Sequence, residues 1–182
     1  QLGLNVYYLN NPANLEGLYQ MIATVGQLSG HQHEADALNA SLKQRVKKVE
    51  KTVAKAESTP LVFYELDGSD PAKPWTPGPG TYMDELISEA GGMNVGAVLS
   101  SAWAQISIEE LLVKNPHIIL LGDSIYGVTP EQVAARPGWD GLSAVQEGQV
   151  YAFNDDLVSL PGPRLVDGLE ELARLLHPEL YQ

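Results

Sequence analysis

The sequence predicts an α/β protein: a three-layer sandwich around a mostly parallel central sheet, with one long helix outside it. Three observations carry that reading. From Leu61 onward, short apolar runs alternate with amphipathic segments of helical period, the order that yields parallel strands covered by helices. The run HIILL (117–121) is apolar on both faces after its first residue, as a strand between two helical layers must be. Cap residues followed three positions on by Asp, Glu or Gln recur at Thr81, Ser107 and Thr129, where helices should begin.

Taken in order, residues 6–9 form a short apolar run ending at Asn10-Asn11-Pro12 and read as a strand. A helix follows: Asn14 caps it, Leu15, Leu18, Ile22, Val25 and Leu28 recur at helical spacing, and Gly30 closes it. A long helix over 34–56 carries one narrow apolar stripe, Leu38, Leu42, Val46, Val49 and Val53, so it touches a core along one side only. Residues 61–66 read as a buried strand. The segment 67–80 then reads as a stiff loop around Trp75, because four prolines and two glycines within residues 71–80 continue neither regular element. Thr81 opens a helix that Gly91-Gly92 stops. A loop carrying Trp103 leads to a short helix capped by Ser107, then to the strand 117–121 and a helix capped by Thr129. Arg136-Pro137-Gly138-Trp139 breaks that helix; a single turn at 142–145 and a strand at 150–153 follow. After the loop 155–161, Pro163 opens an amphipathic helix that runs to His177-Pro178. In such sheets ligands bind beyond the carboxyl ends of the strands, which gathers the loops 67–80, 122–128 and 154–161.

At 182 residues and 44% hydrophobic content the chain has ample material for a packed core. No run approaches the roughly 18 apolar residues of a membrane span, and residues 1–4 do not read as a signal peptide. The absence of cysteine excludes disulfides, thiolate metal sites and cysteine nucleophiles, and is silent on compartment. The net charge of −12 is uneven: residues 1–57 carry six basic and five acidic side chains, the remainder five basic and eighteen acidic. Such a surface repels phosphate backbones and anionic membranes, so nucleic acid is not an expected partner. The basic run Lys43 to Lys55 reads as the solvated face of a helix.

Enzyme motifs are mostly missing: there is no Gly-x-Ser-x-Gly elbow, no His-Glu-x-x-His and no Walker loop, and Gly78-Pro79-Gly80 lacks the rest of a dinucleotide fingerprint. His31 and His33 have no third ligand nearby and read as exposed linker residues. Glu109-Glu110 and Glu170-Glu171 are helical neighbours that point apart. Asp155-Asp156 lies in a loop at the strand ends and either bonds a ligand or forms a turn. Trp75 and Trp103 both fall in loops of small residues; they either plug the core or grip a large apolar or flat ligand by area and stacking.

Together, PWTPGPGTYMDELISEAGGMN (74–94), WAQISIEELL (103–112), HIILL and PGPRLVDGLEELARLLHPE (161–179) resemble, in order and spacing, the cobalamin, haem and iron-siderophore binding proteins of ABC importers. The likeness covers nearly all of the chain from Leu61. It implies two α/β lobes joined by one long helix, with a metal chelate held between them. Residues 1–30 are then the last strand and helix of an N-terminal lobe, 31–58 the connector helix and 59–182 the C-terminal ligand-binding lobe, most of the first lobe lying outside this chain. The resemblance further implies no catalytic residue and no resident cofactor, the chelate being cargo. Permease subunits are the implied partners, and the implied location is periplasmic or extracytoplasmic, with room for a lipid anchor in the full-length protein. Trp75 and Trp103 fall where family members place aromatic ligand contacts, Asp156 where cobalamin binders place a polar one, and Glu109 where a glutamate pairs with a permease arginine. A first-turn glutamate also suits the helix dipole. Leu160 stands where siderophore binders often carry an arginine, and only five basic residues follow Ala56, which favours a largely neutral corrinoid or partly apolar chelate over a highly anionic catecholate. An exposed cleft face favours a homodimer; a purely monomeric species in sedimentation at high concentration counts against it. The readings from other classes are a doubly wound enzyme using Asp67, Asp123 or Asp156, and a self-associating interaction module.

Overall fold

The computed structural model describes residue 3 and residues 5–181; what was expected of residues 1, 2, 4 and 182 lies outside the described residues. Four parallel strands, β1 (Leu61–Glu65), β3 (Met93–Asn94), β5 (Ile118–Leu121) and β6 (Val150–Ala152), form one sheet in the order β3-β1-β5-β6. Side chains of successive strand residues go to opposite faces, and each face has its own core. Val62, Tyr64, Ile118 and Leu120 pack under α3 (Tyr82–Glu89), α7 (Asp156–Ser159) and α8 (Leu165–Leu176). Phe63, Ile119 and Leu121 pack under α4 (Ile108–Lys114), α5 (Pro130–Ala134) and α6 (Ser143–Gln146), with Trp139 fully buried among them. This is the expected sandwich, and its alternation explains why the strands read as continuous apolar runs.

Outside α8 lie α1 (Leu15–Ser29) and α2 (Gln32–Val53). Asn14 caps α1 through a 2.8 Å bond from the Gly17 amide, and Gly30 ends it at φ 75°. The long helix buries Leu42, Val46 and Val49 of the expected stripe together with Ala35, leaves Leu38 37% exposed and Val53 half-buried, and holds Lys47, Lys48 and Lys51 in water; it ends at Val53 rather than at residue 56. Among the described residues no helix is long and apolar enough to cross a membrane.

Three expectations need correction. Residues 6–9 form no strand: Val6, Tyr7 and Tyr8 are 88%, 63% and 81% exposed, and no described strand offers them a ladder. Trp75 and Trp103 do not sit in irregular loops. They belong to β2 (Trp75–Pro77) and β4 (Trp103–Gln105), a short antiparallel ribbon. Only one of three capping boxes closes. Thr129 and Gln132 bond reciprocally at 3.1 and 3.3 Å. Thr81 accepts from the Asp84 amide at 3.1 Å, but the Asp84 carboxylate is taken by the Asn94 side chain at 2.9 Å. Ser107 accepts from the Glu110 amide while the Glu110 side chain stays in solvent.

Candidate functional site

Because all four strands are parallel, their carboxyl ends share one edge, and the loops leaving that edge form a single wall. The loop after β1 is its best-specified part. The Leu66 amide donates to the Trp75 carbonyl and the Trp75 amide to the Asp67 carbonyl, both at 2.9 Å, closing the excursion 67–74 at its base. Within it, Asp123 takes the Gly68 amide (2.9 Å), Trp139 Nε1 donates to the Pro71 carbonyl (3.0 Å), the Ile108 amide to Ala72 (2.9 Å), the Gln105 side chain to Lys73 (2.9 Å) and the Ile106 amide to Pro74 (3.1 Å). A loop rich in proline has few donors of its own, so its carbonyls are satisfied from neighbouring elements. The result is a preformed support for Trp75.

The ribbon register, Trp75 opposite Gln105 and Pro77 opposite Trp103, places both tryptophans on the same face as a diagonal pair. The other face points Thr76 inward, where it is fully buried. Trp75 and Trp103 remain 40% and 45% exposed, too much for core plugs of this size. Both aromatics singled out from the sequence are thus brought together on a rigid platform at the sheet's carboxyl edge.

The other expected residues lie along the same rim. α7 is clipped in place by two tyrosine hydroxyls, Tyr64 donating to Asp155 at 2.6 Å and Tyr82 to the Ser159 carbonyl at 2.8 Å. Burial, then the negative charge of Asp155, holds the Tyr64 hydroxyl far above its ordinary pKa, so it stays a donor. Asp155 is therefore committed to structure. Its neighbour Asp156 is exposed, and its amide donates to Asn154 Oδ1 at 3.2 Å. Leu160 follows, 57% exposed. Glu109 is exposed in the first turn of α4, and since α4 leads into β5 its start lies at the carboxyl edge too. Of the carboxylates weighed for an enzyme, Asp67 faces solvent with its pKa lowered by the Ser69 amide and hydroxyl, whereas Asp123 is buried against the Gly68 amide. His31 is exposed beside α2, 2.9 Å from the Ser29 carbonyl, and His33 is exposed on it; among the described residues no cluster of metal-ligating side chains forms.

Two features escaped sequence reasoning. The 3₁₀ turn Gly122–Tyr126 after β5 presents Ile125 and Tyr126 at 50% and 83% exposure. It is tied to the β1 side by Asp123 and to the β6 side by Ser124, whose hydroxyl donates to the Phe153 carbonyl at 3.0 Å, so these side chains stand at the middle of the wall. The loop was expected at this edge, but an aromatic within a Gly/Ser turn was its only signal. The second feature is a buried pair, Glu65 with Arg136, under the recognition loop. Its signal was one acidic residue in an apolar strand.

The chain as a whole is similar to known proteins. A family model described as periplasmic binding protein matches residues 1–157. An uncharacterized ABC transporter substrate-binding lipoprotein, YvrC of Bacillus subtilis, is 32% identical over 99% of this chain and 56% of its own length. A cobalamin-binding protein of Halobacterium salinarum is 28% identical over 96% of this chain and 48% of its own. The crystal structure of the periplasmic vitamin B12 binding protein BtuF of Vibrio cholerae superimposes with a TM-score of 0.79 at 27% identity, covering 100% of this chain and 68% of that one. The chain spans about half the length of these two curated relatives. With a family model matched over residues 1–157 and the fold in agreement, the chain belongs to the periplasmic binding protein family.

Proposed function

We propose that this chain supplies one wall of an ABC importer's solute-binding cleft, capturing a metal chelate and handing it to a permease. The observation that carries the reading is the diagonal tryptophan pair on a backbone-clamped ribbon at the carboxyl edge, with Ile125, Tyr126 and Leu160 exposed on other loops of that edge. Exposed apolar area on a preformed support suits a large, flat, partly apolar ligand, because binding then loses little loop entropy. The rim has few cations, which favours a largely neutral corrinoid over a polyanionic chelate. Asp156 orients the ligand, and Glu109 meets the permease. In this reading α2 is the connector, residues 59–182 are the C-terminal lobe, a preceding lobe supplies the opposite wall, and the protein works outside the cytoplasm.

Titration with cyanocobalamin and haemin followed by tryptophan fluorescence tests this. Quenching is expected to saturate, and Trp75→Ala and Trp103→Ala are each expected to weaken binding about tenfold or more, as truncated aromatic anchors do. Absence of quenching by any chelate, in a protein that also carries the preceding lobe, overturns the proposal.

A further inference from the structure

The carboxyl end of β1 holds charged side chains that capture alone leaves without a role. Glu65 is fully buried. Arg136, from the segment after α5, meets it with two bonds, Nη1 to Oε2 at 2.6 Å and Nη2 to Oε1 at 2.9 Å. Asp123, from the turn after β5, adjoins Glu65 and is 5% exposed. One of its oxygens takes the Gly68 amide, and the other, Oδ1, has no partner. The remaining charges nearby face away: Asp67, Asp70 and Lys73 of the overlying loop are exposed, and Asp155 is engaged by Tyr64 on the opposite face of β1.

Two neighbouring buried carboxylates with one guanidinium, bonded to Glu65 alone, leave a net negative charge and an unsatisfied acceptor on Asp123, both costly. A proton on Glu65 removes the excess charge and supplies a donor beside Asp123. Burial pushes Glu65 up to about 7 against the opposing pull of Arg136, with Asp123 adding to the rise. The recognition loop lies directly over this group. A Cβ at Gly68 would run into the Arg136 guanidinium and the Glu65 carboxyl. The Arg136 guanidinium lies 4.6 Å from the centre of the Trp139 ring, whose nitrogen holds Pro71.

We infer that Glu65, Asp123 and Arg136 are positioning residues for the recognition loop: one proton held between the two carboxyls locks Gly68, and with it the base of the ribbon that carries Trp75. Losing that proton sets two like charges against each other beneath the Gly68 bond and loosens the loop. In an opened loop Glu65 is hydrated and returns to its ordinary value of 4.5. The closed-to-open ratio therefore falls about tenfold between pH 6 and pH 8, by proton linkage. The functional meaning rests on the capture reading; the chemistry of the lock does not.

The 182-residue chain without ligand decides the lock. Carbon-13 NMR of the glutamate carboxyls is expected to show Glu65 titrating near neutrality. Amide exchange at Gly68 and Trp75, corrected for the intrinsic rate, is expected to lose about tenfold protection from pH 6 to pH 8. Glu65→Gln keeps the size of the side chain and one of the two Arg136 bonds and offers Asp123 an N–H that does not titrate, so its protection, whatever its level, stays flat with pH; Asp123→Asn behaves alike. A Glu65 midpoint in the ordinary carboxylate range, or an equal loss of protection in Glu65→Gln, overturns the inference. Cyanocobalamin titration at both pH values then reads the effect on capture: affinity falling with pH in the wild type but not in Glu65→Gln supports it, and equal affinities in the two overturn its functional part. Failure of cobalamin to bind at either pH counts against the capture reading alone, since the ligand-free measurements still decide the lock.

Discussion

Arg45 and Arg136 each grip carboxylates distant in sequence, one pair of elements at the surface and the other in the interior. Arg45 on α2 bonds Glu170 at 2.9 and 3.0 Å and Asp167 at 2.6 Å on α8, and all three side chains are partly solvated. There the bonds from Arg45 outweigh desolvation, and Glu170 is held below the usual carboxylate range. Arg136 makes the same fork to Glu65, yet Glu65 is raised, because complete burial outweighs the guanidinium beside it. One geometry is thus a fastener in the first setting and a titratable element in the second. What decides the sign is access to water, not the pairing.

The largest expected effect comes from breaking the interior pair. Glu65→Ala removes both bonds to the buried Arg136 guanidinium and leaves a cavity beneath Gly68, and is expected to cost about 3–5 kcal/mol in urea unfolding. The pH dependence comes next. Glu65 has a raised folded-state pKa, so its contribution is full below the unfolded value of 4.5 and is lost as pH rises through about 7. The stability of the wild type relative to Glu65→Gln is expected to fall over that window by on the order of 3 kcal/mol. Glu170 has the opposite sign: its contribution is present above the unfolded value and lost as pH falls through the depressed folded value. Arg45→Ala, the smallest effect, is expected to cost about 1 kcal/mol at neutral pH, and the difference from wild type should shrink in acid. Parallel slopes for the two sites in denaturation series across pH would erase the contrast.

The sandwich was legible because its signals are local. Period-two strands buried on both faces, caps such as Asn14 and Thr129, and breakers such as Gly30 act within a few residues of where they are read. The wall was legible in part. Trp75 and Trp103 could be singled out as loop aromatics, but the ribbon joining them could not, since each strand is three residues long, one contains Pro77, and the partners lie far apart in the chain. The Asp84 side chain misled for a similar reason: a tertiary bond to Asn94 outcompeted the local reciprocal cap. The reading of residues 6–9 as a strand failed because an apolar run specifies a strand only where a neighbour supplies the ladder. Glu65 was visible as an anomaly in β1, but nothing local ties it to Arg136, 71 positions away.

The bonds that fix the recognition loop reach across 55 positions to Asp123 and 68 to Trp139. Such contacts close long stretches of chain, and their entropy must be lost before they stabilise anything. The platform for Trp75 is consequently complete only when the turn behind β5 and the segment around Trp139 are docked against it. A chain that has its helices and its central strands but has not finished this step exposes both tryptophans without the support that makes them a site. On the capture reading proposed above, ligand binding therefore reports on the completeness of the native state as well as on the chemistry of the surface.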